Sequence, residues 1–513
     1  MSQSDIRNTK NIAKNTVFLY LRSIIVMAVG IYTSRVVLQA LGVEDYGVYN
    51  VIGGFVAMFS ILSASLVNAS QRFISFEMGK QVPQMNRIFC GTMSIHLLLA
   101  LIVFFAFETF GIWFLNTRLN IAPERMTAAN WVFQCSVLTF CINLISVPFN
   151  ASIIAHERMN IFAYISIYEV FVKLGIVYLL WVTGFDKLIA YAILMLAVSV
   201  SLRIIYGIYC KRQFEECHFH FKIDKPLFKD MLGFTGWNFI GSTANIFVTQ
   251  GISVLVNIFF GVALNAARGV AEQLNNAVNQ FVTNFMTAMN PQITKSFSSG
   301  KYDYMNTLMV RGAKYAAILY WFISLTLFIE ADYILDLWLV IVPEYAPLFL
   351  RLVIIYSFFQ SLSYTLFIGM LATGNIRNYQ IAMGALYIVA FFLCWFLFKM
   401  GMGPEFGYIS TIIAVFIGAF LLLYMLNKMI PYFSIKGYLH EVVLKVCPVI
   451  ILSTLFVWGV SHLFSHNETL KFVMTLLLTI LSIPVFTYVI ALDGNEKELI
   501  SQIIKNRIIK ILK

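Results

Sequence analysis

Long apolar segments follow one another along most of the chain, and glycine, proline or charged residues separate each from the next. A helix that crosses the bilayer needs about 20 mostly apolar residues, and these segments reach or exceed that length. The pattern therefore predicts fourteen transmembrane helices, named spans 1 to 14. Their predicted ranges are 15–41, 46–73, 86–115, 126–154, 161–183, 187–210, 227–260, 264–285, 306–329, 345–371, 378–398, 406–426, 439–464 and 470–492.

The composition agrees with a protein that lies almost wholly in the membrane. Of the 513 residues, 60% are apolar and 12% are charged, against about 25% charged residues in soluble proteins. This balance excludes a soluble enzyme, a disordered protein and a nucleic-acid-binding domain. The first apolar segment is too long for a cleavable signal, so span 1 is predicted to be retained.

Lysine and arginine residues in the connections predict the orientation, because they collect on the cytoplasmic side of a bilayer. With the N-terminus in the cytoplasm, the opposite side carries only Arg118, Arg125, Lys187, Lys399 and Lys471. We therefore expect an even number of spans and both termini in the cytoplasm. This distribution explains most of the net charge of +11 without a nucleic acid.

Residues 494–513 are predicted to form a basic amphipathic tail. Leucine and isoleucine form one face, and Lys505, Arg507 and Lys510 fall largely on the other. Such a helix binds the anionic inner leaflet of a membrane. A tail that binds a protein partner is the alternative.

The two halves of the chain resemble each other at an offset of about 220 residues. Segment 41–43 corresponds to 260–262, and segment 79–80 after span 2 corresponds to 300–301 after span 8. Six spans separate equivalent helices, and an even number leaves both halves in the same orientation, related by an axis along the membrane normal.

The repeat and the span count together predict the fold class. It is an all-α integral membrane protein with about 14 transmembrane helices, in which two six-helix lobes surround a central cleft and two helices are added at the C-terminus. The predicted lobes are 1–215 and 216–432, with a basic cytoplasmic linker at 211–226. Spans 13 and 14 occupy 433–493, and the tail occupies 494–513.

Polar side chains form stripes on spans 1, 2, 7 and 8, which the repeat makes equivalent. Polar residues within a bilayer are costly and usually face protein or water, so these stripes predict a hydrated cleft. Hydrogen bonding between helices through asparagine and serine is the alternative. The candidate polar residues of the cleft are Asn50, Asn68, Asn238, Asn245, Glu272, Asn275 and Asn279.

Arginines within the spans predict that the cleft binds an anion, because a guanidinium group grips a phosphate through two hydrogen bonds. Snorkelling of these side chains to the interface is the alternative, and Arg268 can also neutralise Glu272 four residues later. The candidate anion-binding residues are Arg22, Arg35, Arg268, Arg311 and Arg351.

The sequence contains none of the motifs that would indicate catalysis. A P-loop, a G-x-S-x-G turn and an H-E-x-x-H helix are all missing, and the predicted outer loops are short. We therefore expect no enzyme activity, no cofactor and no metal site. The seven cysteines fall in apolar segments or near 210–217, which predicts no disulfide framework.

Segments near the N-terminus resemble a known family. They are 11–16, 33–38, 70–73 and above all 41–49, which reads L-G-x-x-x-Y-G-x-Y between spans 1 and 2. The chain resembles the Wzx-type polysaccharide and O-antigen flippases of the multidrug/oligosaccharidyl-lipid/polysaccharide (MOP) exporter superfamily, which also contains the MATE transporters. Members often have twelve spans, so spans 13 and 14 are an addition.

The resemblance implies a function and partners. It implies that a lipid-linked oligosaccharide on undecaprenyl pyrophosphate crosses the bacterial inner membrane to the periplasmic leaflet by alternating access. The partners implied are this glycolipid, membrane lipids and the polysaccharide polymerase machinery. Related lipid II flippases place arginines on spans 1, 2 and 8; Arg22 and Arg268 fit this pattern, whereas Arg72 stands at the end of span 2.

Three other functions remain open at this point. A cation-coupled drug exporter of the same superfamily needs a deep carboxylate, and the sequence offers only Glu272 beside Arg268. A membrane-embedded glycosyltransferase or polymerase would need a larger site outside the bilayer. A membrane scaffold without transport would not need a polar cleft.

Overall fold

The computed structural model describes residues 3–498, apart from residues 58, 119–120, 183, 222–223, 340–341, 465 and 495. Every regular element in this part of the chain is a helix. Twelve described helices are long and apolar enough to cross a membrane. The prediction of an all-α, multi-pass membrane protein is therefore confirmed.

Among the described residues, the first half of the chain forms seven α-helices. A π-helical turn at Phe107–Gly111 joins the third helix to the fourth. The helices are α1 (Gln3–Ala57), α2 (Ser60–Met78), α3 (Met85–Ala106), α4 (Ile112–Arg118), α5 (Met126–Ala155), α6 (Met159–Leu179) and α7 (Lys187–Gln213).

The described part of the second half forms ten α-helices, with π-helical turns at Leu439–Val443 and Thr487–Ala491. They are α8 (Lys225–Phe260), α9 (Val262–Ser298), α10 (Tyr302–Ile329), α11 (Ala331–Trp338), α12 (Ala346–Thr373), α13 (Arg377–Lys399), α14 (Phe406–Met429), α15 (Ile435–Tyr438), α16 (Leu444–His462) and α17 (Glu468–Phe486).

Two predicted spans are helical but are not among the twelve apolar helices. They are 46–73, which runs through the end of α1 and α2, and 264–285, which lies in α9. The polar stripe of α9, with Arg268 and Glu272, lowers its hydropathy. The count of fourteen therefore stays a prediction. The short helix α11 was not predicted, because its eight residues include Asp332 and Asp336 and fall far below the length of a span.

The chain folds into two compact units. The first unit contains Met1–Thr243, Thr287–Lys301 and Gly374–Gln380, and the second contains Ala244–Met286, Tyr302–Thr373 and Ile381–Lys513. Helices α8, α9 and α13 each contribute residues to both units. The lobe boundaries drawn from the sequence stay a prediction, and the predicted amphipathic tail lies almost entirely outside the described residues.

The predicted repeat has a counterpart in the backbone. Gly42 breaks α1 with φ +82°, and Gly261 separates α8 from α9 with φ +87°. Glycine adopts such positive φ values without the steric cost that a Cβ atom imposes. Helix packing follows the repeat as well, since α5 packs on α3 and α7 just as α12 packs on α10 and α14.

Buried polar contacts join α10 and the residue that follows it to α17 and the segment that follows α17. At one end, Glu330 accepts hydrogen bonds from Lys471 (3.0 Å) and Thr475 (2.8 Å). At the other end, Lys314, only 1% exposed, donates to Glu496 (2.8 Å) and to the carbonyl oxygen of Ala491 (3.0 Å). A charge buried in this way is stable only while its partner remains.

Replacing Gly261 tests the backbone break. We expect Gly261→Ala to lower the free energy of unfolding by about 1–2 kcal/mol, because alanine resists positive φ. Gly459→Ala is the control, since Gly459 lies inside α16 with open space around it; it should leave stability unchanged or raise it by up to about 1 kcal/mol. Unfolding in detergent measures both. Equal effects of the two variants would contradict the requirement for glycine.

Replacing Glu496 tests the attachment of α17. We expect Glu496→Gln to lower the free energy of unfolding by about 3 kcal/mol, because the buried Lys314 loses its counter-charge. Asp332→Asn serves as the control, since the Asp332 side chain is 66% exposed in its pair with Arg351 and such pairs contribute about 0–1 kcal/mol. A Glu496→Gln variant as stable as Asp332→Asn would contradict the stabilising role of the pair between Glu496 and Lys314.

The same pair predicts a dependence on pH. Burial alone would raise the pKa of Glu496, but hydrogen bonds from Lys314, the Asp493 backbone and Tyr315 bring that pKa below its ordinary value. The stabilisation is therefore present above the ordinary pKa and is lost as the pH falls through the lowered pKa. Unfolding measured from neutral to acidic pH should show a smaller loss of stability in Glu496→Gln than in the wild type.

Candidate functional site

Arg268 is buried in the second unit, on the polar face of α9. Its side chain is 8% exposed, and its guanidinium carbon lies 5.2 Å from the centre of the Tyr408 ring of α14. Nη2 donates to the carbonyl oxygen of Thr249 at 3.2 Å. Because a cation within a membrane helix is costly and is usually functional, this arginine is the strongest candidate for binding an anion.

Glu272 compensates the charge of Arg268. Its Oε1 lies 4.0 Å from Nε of Arg268, one helical turn earlier, and accepts a hydrogen bond from the Tyr408 hydroxyl at 3.2 Å. The two predicted residues are thus brought together, with a tyrosine that contacts both. An anionic ligand at Arg268 would compete with the Glu272 carboxylate.

Predicted asparagines on α9 belong to a hydrogen-bond network within the second unit. Asn275 donates to Ser357 Oγ at 2.9 Å and accepts from the Tyr320 hydroxyl at 2.8 Å, and Asn279 donates to the same Ser357 at 3.2 Å. The Oδ1 atom of Asn279 is buried and has no partner among the described residues. This network joins α9 to α10 and α12.

Asn245 on α8 is a predicted cleft residue that meets tyrosines of the second unit. It forms side-chain hydrogen bonds with Tyr356 of α12 and Tyr387 of α13. The Asn245 amide therefore joins three helices by polar contacts. This placement fits hydrogen bonding between helices, the alternative to a cleft-lining role.

Arg22 lies on α1 in the first unit. Its guanidinium carbon is 4.7 Å from the centre of the Phe162 ring, and Nε is buried without a hydrogen-bond partner in the described part of the chain. The carboxylate of Glu169 is close enough to interact electrostatically, but Glu169 is paired with Lys173 at 2.5 Å. Arg22 is thus only partly compensated.

The other predicted residues of the first unit are placed differently. Asn238 is 1% exposed and is held by the carbonyl oxygen of Ser65 (3.5 Å) and the amide of Gln380 (3.3 Å), which is a packing role between helices. Asn68 is half-buried on α2, Arg35 is exposed on α1, and the side chain of Asn50 lies outside the described part of the structure.

Arg311 and Arg351 are paired with carboxylates near opposite ends of α10. Arg311 Nε lies 3.1 Å from Glu496. Arg351 contacts Asp332 of α11 at 2.6 Å and donates to the carbonyl oxygen of Phe328 at 3.1 Å. Their partners belong to elements that the sequence did not connect with them. These two arginines do not join the group around Arg268.

The sequence reasoning missed a polar face on α5. Ser136, Thr139 and Asn143 are spaced by three and four residues, which places them on one face of the helix, and they line a pocket of about 200 Å³ in the first unit. The spacing was visible in span 4. This face was not predicted because span 4 carries neither an arginine nor a long series of asparagines.

The described residues offer little for catalysis or for a metal. No group of three or more His, Cys, Asp and Glu residues able to hold a metal occurs among them, and the seven cysteines are free.

Solved structures similar to this chain are transporters of one fold. A MATE mutant has a TM-score of 0.71 at 12% identity, and an outward-facing multidrug resistance MATE transporter of the MOP superfamily has 0.69 at 12%. Each alignment covers 84% of this chain and 98% of the other. A MOP superfamily transporter from Pyrococcus furiosus, described by a reversed polarity of its binding pocket, has 0.65 at 11%, covering 83% and 98%. The MATE-like fold predicted from the sequence is confirmed.

The family is shown by the sequence itself. Residues 12–297 match the family described as polysaccharide biosynthesis protein, which is more than half of the chain and includes the segments that carried the resemblance. No curated protein matches the chain. Family and fold agree with the resemblance stated from the sequence, and they are those of membrane transporters. The chain belongs to the polysaccharide biosynthesis protein family of the MOP superfamily.

Proposed function

We propose that this protein is a flippase for a lipid-linked oligosaccharide. It moves undecaprenyl-pyrophosphate-linked glycan from the cytoplasmic to the periplasmic leaflet of the bacterial inner membrane, for cell-surface polysaccharide synthesis. The observation that carries the proposal is the buried Arg268, held by Tyr408, Glu272 and Thr249 within the second unit. The family supports the polysaccharide part of the proposal.

The chemistry of a pyrophosphate headgroup fits this arginine. Arginine binds phosphate oxygens through two parallel hydrogen bonds, and such bonds between charged groups are about twice as strong as neutral ones. The ring of Tyr408 and the Thr249 carbonyl keep the guanidinium in one orientation, so little side-chain freedom is lost on binding. Without a substrate, Glu272 pairs with Arg268. An anion of higher charge would displace the Glu272 carboxylate from the guanidinium group.

Arg22 supplies a second cation, in the first unit. The ring of Phe162 orients the guanidinium group of Arg22, as the ring of Tyr408 orients that of Arg268. The charge of Arg22 is only partly compensated within the described protein. An alternating-access cycle would let the headgroup meet these arginines, while the lipid tail stays in the bilayer. The polymerase machinery is the partner that would receive the glycan in the periplasm.

A cation-coupled exporter of drugs is the second candidate. Glu272 favours it, because the carboxylate side chain is 35% exposed within a membrane protein. The nearby cation Arg268 weighs against it, since a site for Na⁺ or H⁺ exchange needs a carboxylate that is not already compensated.

Replacing the arginines tests the proposed function. Cells that make a lipid-linked glycan, but lack their own flippase, should display the glycan when they express this chain. We expect Arg268→Ala and Arg22→Ala to reduce surface glycan at least about tenfold, because each removes a charged hydrogen bond to the headgroup.

Arg203→Ala is the matched control for both arginines. Arg203 also lies in a membrane helix and over an aromatic ring, with 4.2 Å to the centre of Phe149, but its position in the C-terminal half of α7 lets its long side chain snorkel towards the interface. Its surface glycan should equal that of the wild type at equal membrane levels. If the wild type displays no glycan but lowers drug accumulation, the exporter takes the place of the flippase.

A further inference from the structure

The first unit contains an open pocket, and three polar side chains that line it make no hydrogen bond to any described residue. The pocket measures about 200 Å³ and lies where the second part of α1 faces α5 and α7. Ser136, Thr139 and Asn143 of α5 line it, together with Tyr49 and Gly53 of α1. Its volume equals that of about six or seven water molecules, which is also the scale of one sugar ring.

The three polar side chains of α5 need a partner from outside the protein. Ser136, Thr139 and Asn143 make no hydrogen bond to any described residue, whereas Ser146 on the same helix donates to the carbonyl oxygen of Ile142 at 2.8 Å. A polar group without a partner is costly inside a bilayer. Water or a hydroxylated ligand must therefore satisfy these groups.

The lining has the chemistry that recognises a neutral sugar. Hydroxyl and amide groups donate to and accept from sugar hydroxyls, and the rings of Tyr49 and Phe140 offer apolar faces for the C–H groups of a sugar ring. No charged side chain lines the pocket among the described residues. A cation would need carboxylates or many oxygen ligands, and an anion would need arginine or lysine.

We infer that this pocket binds a neutral sugar residue of the transported glycan. The inference rests on the proposed function and deepens it. The arginines bind the pyrophosphate, which all undecaprenyl-pyrophosphate-linked glycans share, and the pocket in the first unit recognises a sugar. Tyr49, Ser136, Thr139, Phe140 and Asn143 are then specificity-determining residues.

Filling the pocket is the most direct test. A Cβ atom added at Gly53 would meet no atom within 4 Å, so Gly53→Val adds side-chain volume to the lining of the pocket at a position with open space for the Cβ atom. Thr139→Val complements it, because valine keeps the shape of threonine and removes the hydroxyl. Gly175→Val is the control, since Gly175 on α6 also has open space and does not line the pocket.

Binding to two lipids separates the pocket from the arginines. The purified protein in nanodiscs is titrated with undecaprenyl pyrophosphate that carries the glycan displayed by cells expressing this chain, and with the same lipid without sugar. We expect Gly53→Val to raise Kd for the glycan-bearing lipid at least tenfold, and Thr139→Val to raise it several-fold. Neither variant should change Kd for the sugar-free lipid, and Gly175→Val should change neither value.

Each other outcome has a distinct meaning. If Gly53→Val weakens the binding of both lipids, or of neither, the pocket does not recognise the sugar and the inference is overturned. If the wild type binds the two lipids equally, the inference fails in the same way while the flippase remains. If the wild type binds neither lipid and no cells display a glycan, the proposed function itself fails.

Discussion

A polar group inside a bilayer must find its partner within the protein, and this constraint organises both units of the molecule. The hydrocarbon core offers neither water nor counter-ions, so buried charges are paired with other side chains. Lys314 pairs with Glu496, Glu330 pairs with Lys471, and Arg268 pairs with Glu272 within α9. The first two pairs join segments that lie far apart in the sequence.

The same constraint separates structural polar groups from those available to a ligand. Asn238 and Asn275 are fully engaged by neighbouring helices, and they contribute to packing. Arg22 has a buried Nε atom without a partner in the described chain, and Ser136, Thr139 and Asn143 of α5 line an open pocket. Function is expected where the protein leaves polar groups unsatisfied and still accessible, because there the missing partner comes from the substrate.

Much of the fold could be predicted from the sequence, because apolar length and glycine breaks are local properties. Span 4 was placed at 126–154 and α5 is Met126–Ala155. The paired breaks at Gly42 and Gly261 follow from the repeat. The interruption after residue 57 and the short helix α11 were missed, since neither changes hydropathy over the length of a span.

The candidate site was less predictable, because partners of a charge come from elsewhere in the chain. Arg268 and Glu272 are four residues apart, so their contact could be foreseen. The contact of Arg311 with Glu496 joins residues far apart in sequence and depends on how α17 packs on α10. The hydrogen bonds from Asn275 and Asn279 to Ser357 and the open pocket at Thr139 likewise depend on helix packing, which the sequence pattern does not contain.

We propose that cations in the protein carry a diphosphate-linked glycan across the membrane. Proteoliposomes would test it most directly, with the same glycan attached either to undecaprenyl pyrophosphate or to an uncharged lipid. Accessibility of the glycan to a lectin added outside measures its movement between leaflets. We expect the protein to accelerate movement of the pyrophosphate-linked glycan and to leave the uncharged glycolipid in its original leaflet. Equal movement of both lipids, or movement of neither, would contradict it.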